Sequence, residues 1–195
     1  EVVSNSHVGE VEINITGGEA VLVAGGGATY ATTYDAKPGY NSMVSAQATV
    51  DKATINIANQ DTVVDGVFGG GIAVDDTNAA QTNATTTTND VTINIHGGTV
   101  NAADLGVMDK FFDDALSSTG APATVGTYAM ETSGLVESAN VAILGAGMAS
   151  GGKALTSTDS TTLNLYGGTV EGNVFGGGAA TLGAASKVNK SVINI

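Results

Sequence analysis

The chain has 195 residues with a formal net charge of -13, and all six of its basic residues are lysines, against 19 acidic residues. Because positive charge supplies most of a protein's affinity for nucleic acids, a nucleic-acid partner is excluded and an anionic membrane surface is disfavoured. Cysteine is absent, which excludes disulfides, thiolate metal sites and cysteine nucleophiles. No segment approaches the ~20 apolar residues of a membrane span, and Glu1 in place of Met leads us to expect a processed or excised chain.

A two-part phrase recurs along the chain. The first part is a triplet with asparagine between two aliphatic residues, found at 13–15, 55–57, 93–95, 163–165 and 193–195. The second part is a glycine-rich step, found at 23–27, 67–71, 143–147 and 174–178. The clearest copy, 163–178, runs as a strand, a Gly-Gly turn, a second strand and a Gly-Gly-Gly turn. We therefore predict a tandem array with four complete repeats and the beginning of a fifth.

The first strand of each repeat alternates apolar with small polar residues, the period of two that is typical of a half-buried strand. Paired glycines allow positive φ and hence sharp turns between short strands. One short strand pair buries almost no apolar surface, so the repeats must stack about 4.8 Å apart to build a continuous core. The predicted fold is an all-β β-solenoid that occupies 1–195 as a single domain, with a right-handed parallel β-helix as the favoured form. The handedness and the number of coils per repeat stay open at this stage.

The alternation assigns a side to each residue of the triplets. The residues predicted to point into the core are Ile13, Ile15, Ile55, Ile57, Ile93, Ile95, Leu163 and Leu165. The residues predicted to point outward are Asn14, Asn56, Asn94 and Asn164. A second outward column holds Thr54, Thr92 and Thr162, with Glu12 and Val192 at its ends. This flat array resembles the ice-binding face of some solenoid antifreeze proteins, and the alternative is a set of side-chain ladders that stabilise stacked strands.

Three ranges, at about 30–52, 74–90 and 104–138, are predicted to be insertions between repeats. The second contains a threonine run, and the third contains Met108–Leu116, whose apolar residues have the spacing of an amphipathic helix face. We therefore predict a short helix there, with Gly120 as its stop. Insertions of a repeat protein collect on one side, which is often the binding side.

The first insertion holds the candidate ligand-contact residues, Tyr30, Tyr34, Lys37 and Tyr40. Aromatic rings present large contact surfaces to sugars or protein partners at small entropic cost. The alternative is that the tyrosines pack the insertion onto the flank of the solenoid.

The phrases Ile-His-Gly-Gly-Thr-Val at 95–100 and Gly-Gly-Thr-Val-Glu-Gly-Asn-Val-Phe-Gly-Gly-Gly at 167–178 resemble the repeats of large bacterial surface β-solenoids. These are the passenger regions of autotransporter-like adhesins. The resemblance covers the repeat residues and not the insertions. It implies an extracellular location at the bacterial cell surface, a role in display or adhesion, and a host or neighbouring-cell glycan or protein as the partner. No binding residue is carried over, because such motifs mark an architecture more than an activity.

A carbohydrate-active enzyme on a parallel β-helix is the alternative function. A glycoside hydrolase needs two or three converging carboxylates, for which the candidates are Asp61, Asp65, Asp75, Asp76, Asp113 and Asp114. The adjacent pairs among them favour solvated surfaces, and the chain has no arginine to hold a uronate carboxylate. His96 takes the outward slot of Thr16, Ala58 and Tyr166, and His7 is the other imidazole. We predict no catalytic residue.

A metal site and a cofactor are not expected either. Calcium is the metal that carboxylate and carbonyl oxygens would suit, but the glycine steps lack the Gly-Gly-x-Gly-x-Asp repeat that binds it. A loop near Asp75, Asp76 and Asn78 is the one remaining place.

The end of the chain falls inside the fifth triplet phrase. Uncovered strands tend to pair with other chains, and natural solenoids cover them with caps or with the next repeat. We therefore expect end-to-end self-association, as part of a longer array or a fibre.

Overall fold

The structure is a computed structural model and describes residues 2–37, 40–75, 83–102, 141–181 and 183–195. In these ranges the β-strands follow one another in groups of four. The first group is β1 (Val2–Ile15), β2 (Gly18–Ala20), β3 (Val23–Ala24) and β4 (Ala28–Lys37). The second group is β5 (Tyr40–Ile57), β6 (Thr62–Val64), β7 (Val67–Phe68) and β8 (Ile72–Asp75). The third is β9 (Ala84–Ile95), β10 (Thr99–Val100), β11 (Val141–Leu144) and β12 (Met148–Ser150). The fourth is β13 (Leu155–Leu165), β14 (Thr169–Val170), β15 (Asn173–Phe175) and β16 (Ala179–Thr181), and β17 (Ala185–Asn194) begins a fifth.

Strands of the same rank pair in parallel from one group to the next. The first-ranked strands form the long sheet, in the order β1-β5-β9-β13-β17. The second, third and fourth sheets are β2-β6-β10-β14, β3-β7-β11-β15 and β4-β8-β12-β16. Each sequence repeat therefore makes one four-strand coil, and the predicted all-β parallel β-solenoid is confirmed.

The wide part of the core lies between the long sheet and the second and third sheets. The triplet residues stack in register, with Ile55 paired to Ile13 and to Ile93. Fully buried members of this cluster include Ile55, Ile57, Ile93, Ile95 and Leu163, whereas Ile13, Ile15 and Leu165 are partly buried against it. The predicted inward set is therefore confirmed.

The narrow part of the core lies where the glycine-rich steps approach the long sheet. A Cβ added at Gly25 would lie 2.9 Å from the Cβ of Ala53, and one added at Gly145 would lie 3.0 Å from Cδ1 of Leu163. Beyond the glycines this part is lined by small side chains, namely Ala31, Ala73, Ala84, Ala149 and Ala154. Glycine is required here because an added Cβ would meet both the facing sheet and the backbone of the neighbouring coil, as at Gly25, where it would lie 2.5 Å from the carbonyl oxygen of Gly69.

The two kinds of glycine in the repeat therefore have different roles. In the Gly-Gly turns, Gly18, Gly98 and Gly168 have φ values of 81°, 82° and 88°, as the turn prediction requires. The glycines of the Gly-Gly-Gly steps lie outside the left-handed region of φ. Close packing, and not a positive φ, therefore explains why glycine occupies those steps.

A second apolar cluster lies on the outer side of the third and fourth sheets. Side chains alternate along these strands, so Phe68 and Ile72 point away from the lumen that Val67 and Ala73 face. The cluster comprises Phe68, Ile72, Val141, Leu144 and Met148, all of which are buried. Hydrophobic alternation did not predict it, because both sides of these strands are apolar.

The predicted insertions differ from the structure in two ranges. Residues 45–52 and 84–90 are ladder strand, because β5 and β9 pair in parallel from Ala46 with Ala84 to Ile57 with Ile95. Thr86 and Thr88 are buried in the narrow part of the core. Because these inward residues are polar, the segment lacks the alternation of apolar and polar residues that predicts a strand. The range 104–138 and the predicted helix Met108–Leu116 lie outside the described residues. No helix occurs within the described ranges.

Candidate functional site

The candidate ligand-contact residues lie on one β-hairpin. After pairing with β8, β4 leaves the fourth sheet and turns back into β5, with antiparallel pairing from Thr32–Val44 to Lys37–Tyr40. Tyr34 pairs with Ser42 in this ladder, and Tyr30 is half-buried at its base. The backbone thus brings Tyr30, Tyr34, Lys37 and Tyr40 onto a single hairpin.

The asparagine column forms a continuous side-chain ladder on the outer face of the long sheet. Nδ2 of each asparagine donates to Oδ1 of the one in the preceding coil. The distances are 2.8 Å for Asn56 to Asn14, 2.8 Å for Asn94 to Asn56, 2.8 Å for Asn164 to Asn94 and 2.7 Å for Asn194 to Asn164. The predicted outward direction is confirmed. The hydrogen bonds between the amides stabilise the register of successive coils and use part of each amide's hydrogen-bonding capacity.

The threonine column lies beside the asparagine ladder. Thr54 pairs with Glu12 and with Thr92, and Thr162 pairs with Thr92 and with Val192. The three threonines are half-buried. The predicted threonine column is therefore in register across the three inner coils, and residues of other types, Glu12 and Val192, occupy its two ends.

The backbone pairing of the long sheet skips one residue in each coil, and exposed charged side chains lie at or next to these positions. The skipped residues are Gly9, Asp51, Asn89, Asp159 and Asn189. Nζ of Lys52 donates to Oε1 of Glu10 over 2.8 Å, and this hydrogen bond raises the pKa of Lys52. The His7 ring nitrogen Nε2 lies 3.0 Å from Oδ2 of Asp51. Both pairs are exposed, so each stabilises the fold weakly.

The candidate catalytic carboxylates lie in different parts of the coil. Asp61 is exposed in the turn after β5, and Asp65 accepts a 2.9 Å hydrogen bond from Nδ2 of Asn101 beyond β6. Asp75 is buried at the end of β8, where its carboxylate accepts from the backbone N–H of Lys153 over 2.9 Å. The other candidates, Asp76, Asp113 and Asp114, lie outside the described residues, as does Asn78. In the part of the chain that the structure describes, no three His, Asp or Glu side chains are grouped so as to hold a metal.

One aromatic pair on the surface was not predicted. His96 and Tyr166 occupy the same slot in successive coils, and their rings stack with centroids 4.8 Å apart and planes inclined by 16°. Tyr166 is 65% exposed. The sequence alignment of the repeats placed both residues in one outward slot, but 70 residues separate them, and the pairing of β9 with β13 was needed to bring them together.

Comparisons with protein-family models, with curated proteins and with solved structures found no match. Over the ranges described, no helix has the length and apolar character that crossing a membrane requires.

Proposed function

We propose that this chain is a non-catalytic β-solenoid segment with a structural or adhesive role, which displays contact surfaces outside a bacterial cell. The resemblance of the repeats to bacterial surface β-solenoids supports this location. The partner class is a glycan or a protein on a host or neighbouring cell.

The observation that carries the proposal is the hairpin that β4 and β5 form at the N-terminal end of β5, an inner strand of the continuous parallel ladder. The long sheet runs through five strands without a break in strand order, and its asparagine ladder fixes the register on the outer face. The strand β4 continues past its pairing with β8, and β5 begins before its pairing with β9, and these two extensions form the hairpin. A contact surface on a regular scaffold loses little conformational entropy on binding, which favours affinity.

The test is retention of the purified chain on a glycan panel and on whole bacterial and epithelial cells. We expect retention without new reducing ends or unsaturated sugars, and a loss of cell attachment in the Tyr34→Ala/Tyr40→Ala double variant. Gln47→Ala is the matched control, because Gln47 is exposed on β5 beyond the hairpin. Release of product would contradict the non-catalytic role, and full attachment by the double variant would contradict the role of the hairpin.

The proposal includes end-to-end self-association. The strands β1 and β17 each pair on one side only among the described strands, which leaves backbone donors and acceptors on their outer edges. The open edges at β1 and β17 belong to strands of the same rank, so a second copy of this chain could pair its β1 with β17 in the parallel register of the long sheet. We therefore expect weak, concentration-dependent association, measured by light scattering. A strict monomer at high concentration would contradict it.

A further inference from the structure

The stacked pair of His96 and Tyr166 lies at the corner between the long sheet and the second sheet. The backbone N–H groups of these residues donate to the carbonyls of Ile57 and Ile95 over 2.8 Å each, so the coil register fixes the bases of both side chains. Stacking on His96 holds the Tyr166 ring at a defined angle. The exposed ring is therefore already ordered before any partner arrives.

The surroundings of Tyr166 leave its ring accessible. The next two residues are Gly167 and Gly168, which are exposed and carry no side chain. Gly168 has a φ of 88°, so the chain turns away from the ring at a position that favours glycine. An exposed aromatic ring of this kind offers a flat apolar surface with a polar hydroxyl at its tip.

The asparagine ladder passes two residues before Tyr166 along the chain. Asn164 lies two residues before Tyr166, on the same outward side of the coil, and is hydrogen-bonded to Asn94 and Asn194. A side-chain amide has two N–H donors and an oxygen with two lone pairs, and the ladder uses one donor and one acceptor site of Asn164. Hydrogen-bonding capacity for hydroxyl groups thus lies next to an apolar platform.

From this juxtaposition we propose that the Tyr166 ring, backed by His96 and flanked by Asn164, is a binding site for the pyranose rings of a neutral glycan. A pyranose presents one apolar C–H face, which fits an aromatic ring, and a rim of hydroxyls, which fits the amide ladder. The net charge of -13 repels anionic sugars and disfavours uronates and sulfated chains. The inference rests on the adhesive function proposed above and names a contact site that is separate from the hairpin.

The test is affinity electrophoresis in native gels that contain mixed-linkage β-glucan, xyloglucan or galactomannan, with alginate as the anionic probe. We expect at least one neutral polysaccharide to retard the chain and alginate to have no effect. Tyr166→Ala is expected to weaken binding about tenfold or more, because it removes the platform. Tyr166→Phe keeps the ring and is expected to bind like the wild type, while His96→Ala is expected to give an intermediate loss.

The outcomes separate this site from the proposed function. If no neutral polysaccharide retards the wild type, or if Tyr166→Ala binds as well as the wild type, the stacking site is overturned, whatever the hairpin variant does. Retardation that is accompanied by new reducing ends would overturn the non-catalytic function and support the site. Tyr166 is exposed, so all variants are expected to melt like the wild type, and thermal melts check this.

Discussion

The two parts of the solenoid core solve the same packing problem with different residues. In the wide part, isoleucine, leucine and valine side chains from facing sheets fill the lumen, as at Ile93 and Val100. In the narrow part, the sheets lie so close that glycine faces alanine and no room is left for a larger side chain, as at Gly25 and Ala53. In the wide part a substitution is harmful when it removes side-chain atoms and leaves a void. In the narrow part a substitution is harmful when it adds as little as a methyl group.

The largest expected effect is a cavity in the wide part. Ile93 is fully buried and stacks between Ile55 and Leu163, so Ile93→Ala is expected to lower the free energy of unfolding by ~2–5 kcal/mol. The adjacent Asn94→Thr, on the outer face, is expected to cost far less. Denaturant titrations of the two variants measure the difference, and equal losses would contradict the assignment of inner and outer sides.

The second effect tests the narrow part by adding volume. A Cβ at Gly145 would lie 2.9 Å from the carbonyl carbon of Gly176 and 3.0 Å from Cδ1 of Leu163, and a backbone atom cannot move aside as a side chain can. Gly145→Ala is therefore expected to destabilise by ~1–3 kcal/mol or more.

Gly177 provides the matched control for this change. It belongs to the same glycine-rich step one coil later, lies outside the left-handed region of φ, and has no atom within 4 Å of an added Cβ. Gly177→Ala is expected to leave the stability within about 1 kcal/mol, on the stabilising side, because alanine has less backbone freedom in the unfolded chain. If both alanines are tolerated, close contact with the neighbouring coil and the facing sheet is not what selects glycine.

The wide part of the core can be predicted from the sequence, whereas the narrow part cannot. The triplets alternate isoleucine with asparagine, so the wide part, its register and the outward ladder follow from a period of two. Thr86 and Thr88 point into the narrow part, where polar and small residues replace aliphatic ones, and the period disappears. Two ladder segments were therefore interpreted as insertions. The hairpin and the stack of His96 on Tyr166 depend on which strands pair, which residue types alone do not determine.

The smallest expected effect has the opposite sign and distinguishes threonines that look alike in sequence. Thr88 is buried, its Oγ1 has no hydrogen-bond partner among the residues that the structure describes, and its neighbour in the same column of the preceding coil is Val50. An unsatisfied buried hydroxyl costs ~1–3 kcal/mol, so Thr88→Val, which replaces it with a methyl group of similar size, is expected to stabilise by about 1 kcal/mol.

Thr156 is also buried in the narrow part, but its Oγ1 donates to Oγ of Ser186 over 2.8 Å. Thr156→Val leaves that serine without its donor and is expected to destabilise by a similar amount. Urea titrations of the two variants measure the signs, and a loss of stability in both would mean that the hydroxyl of Thr88 is satisfied in solution.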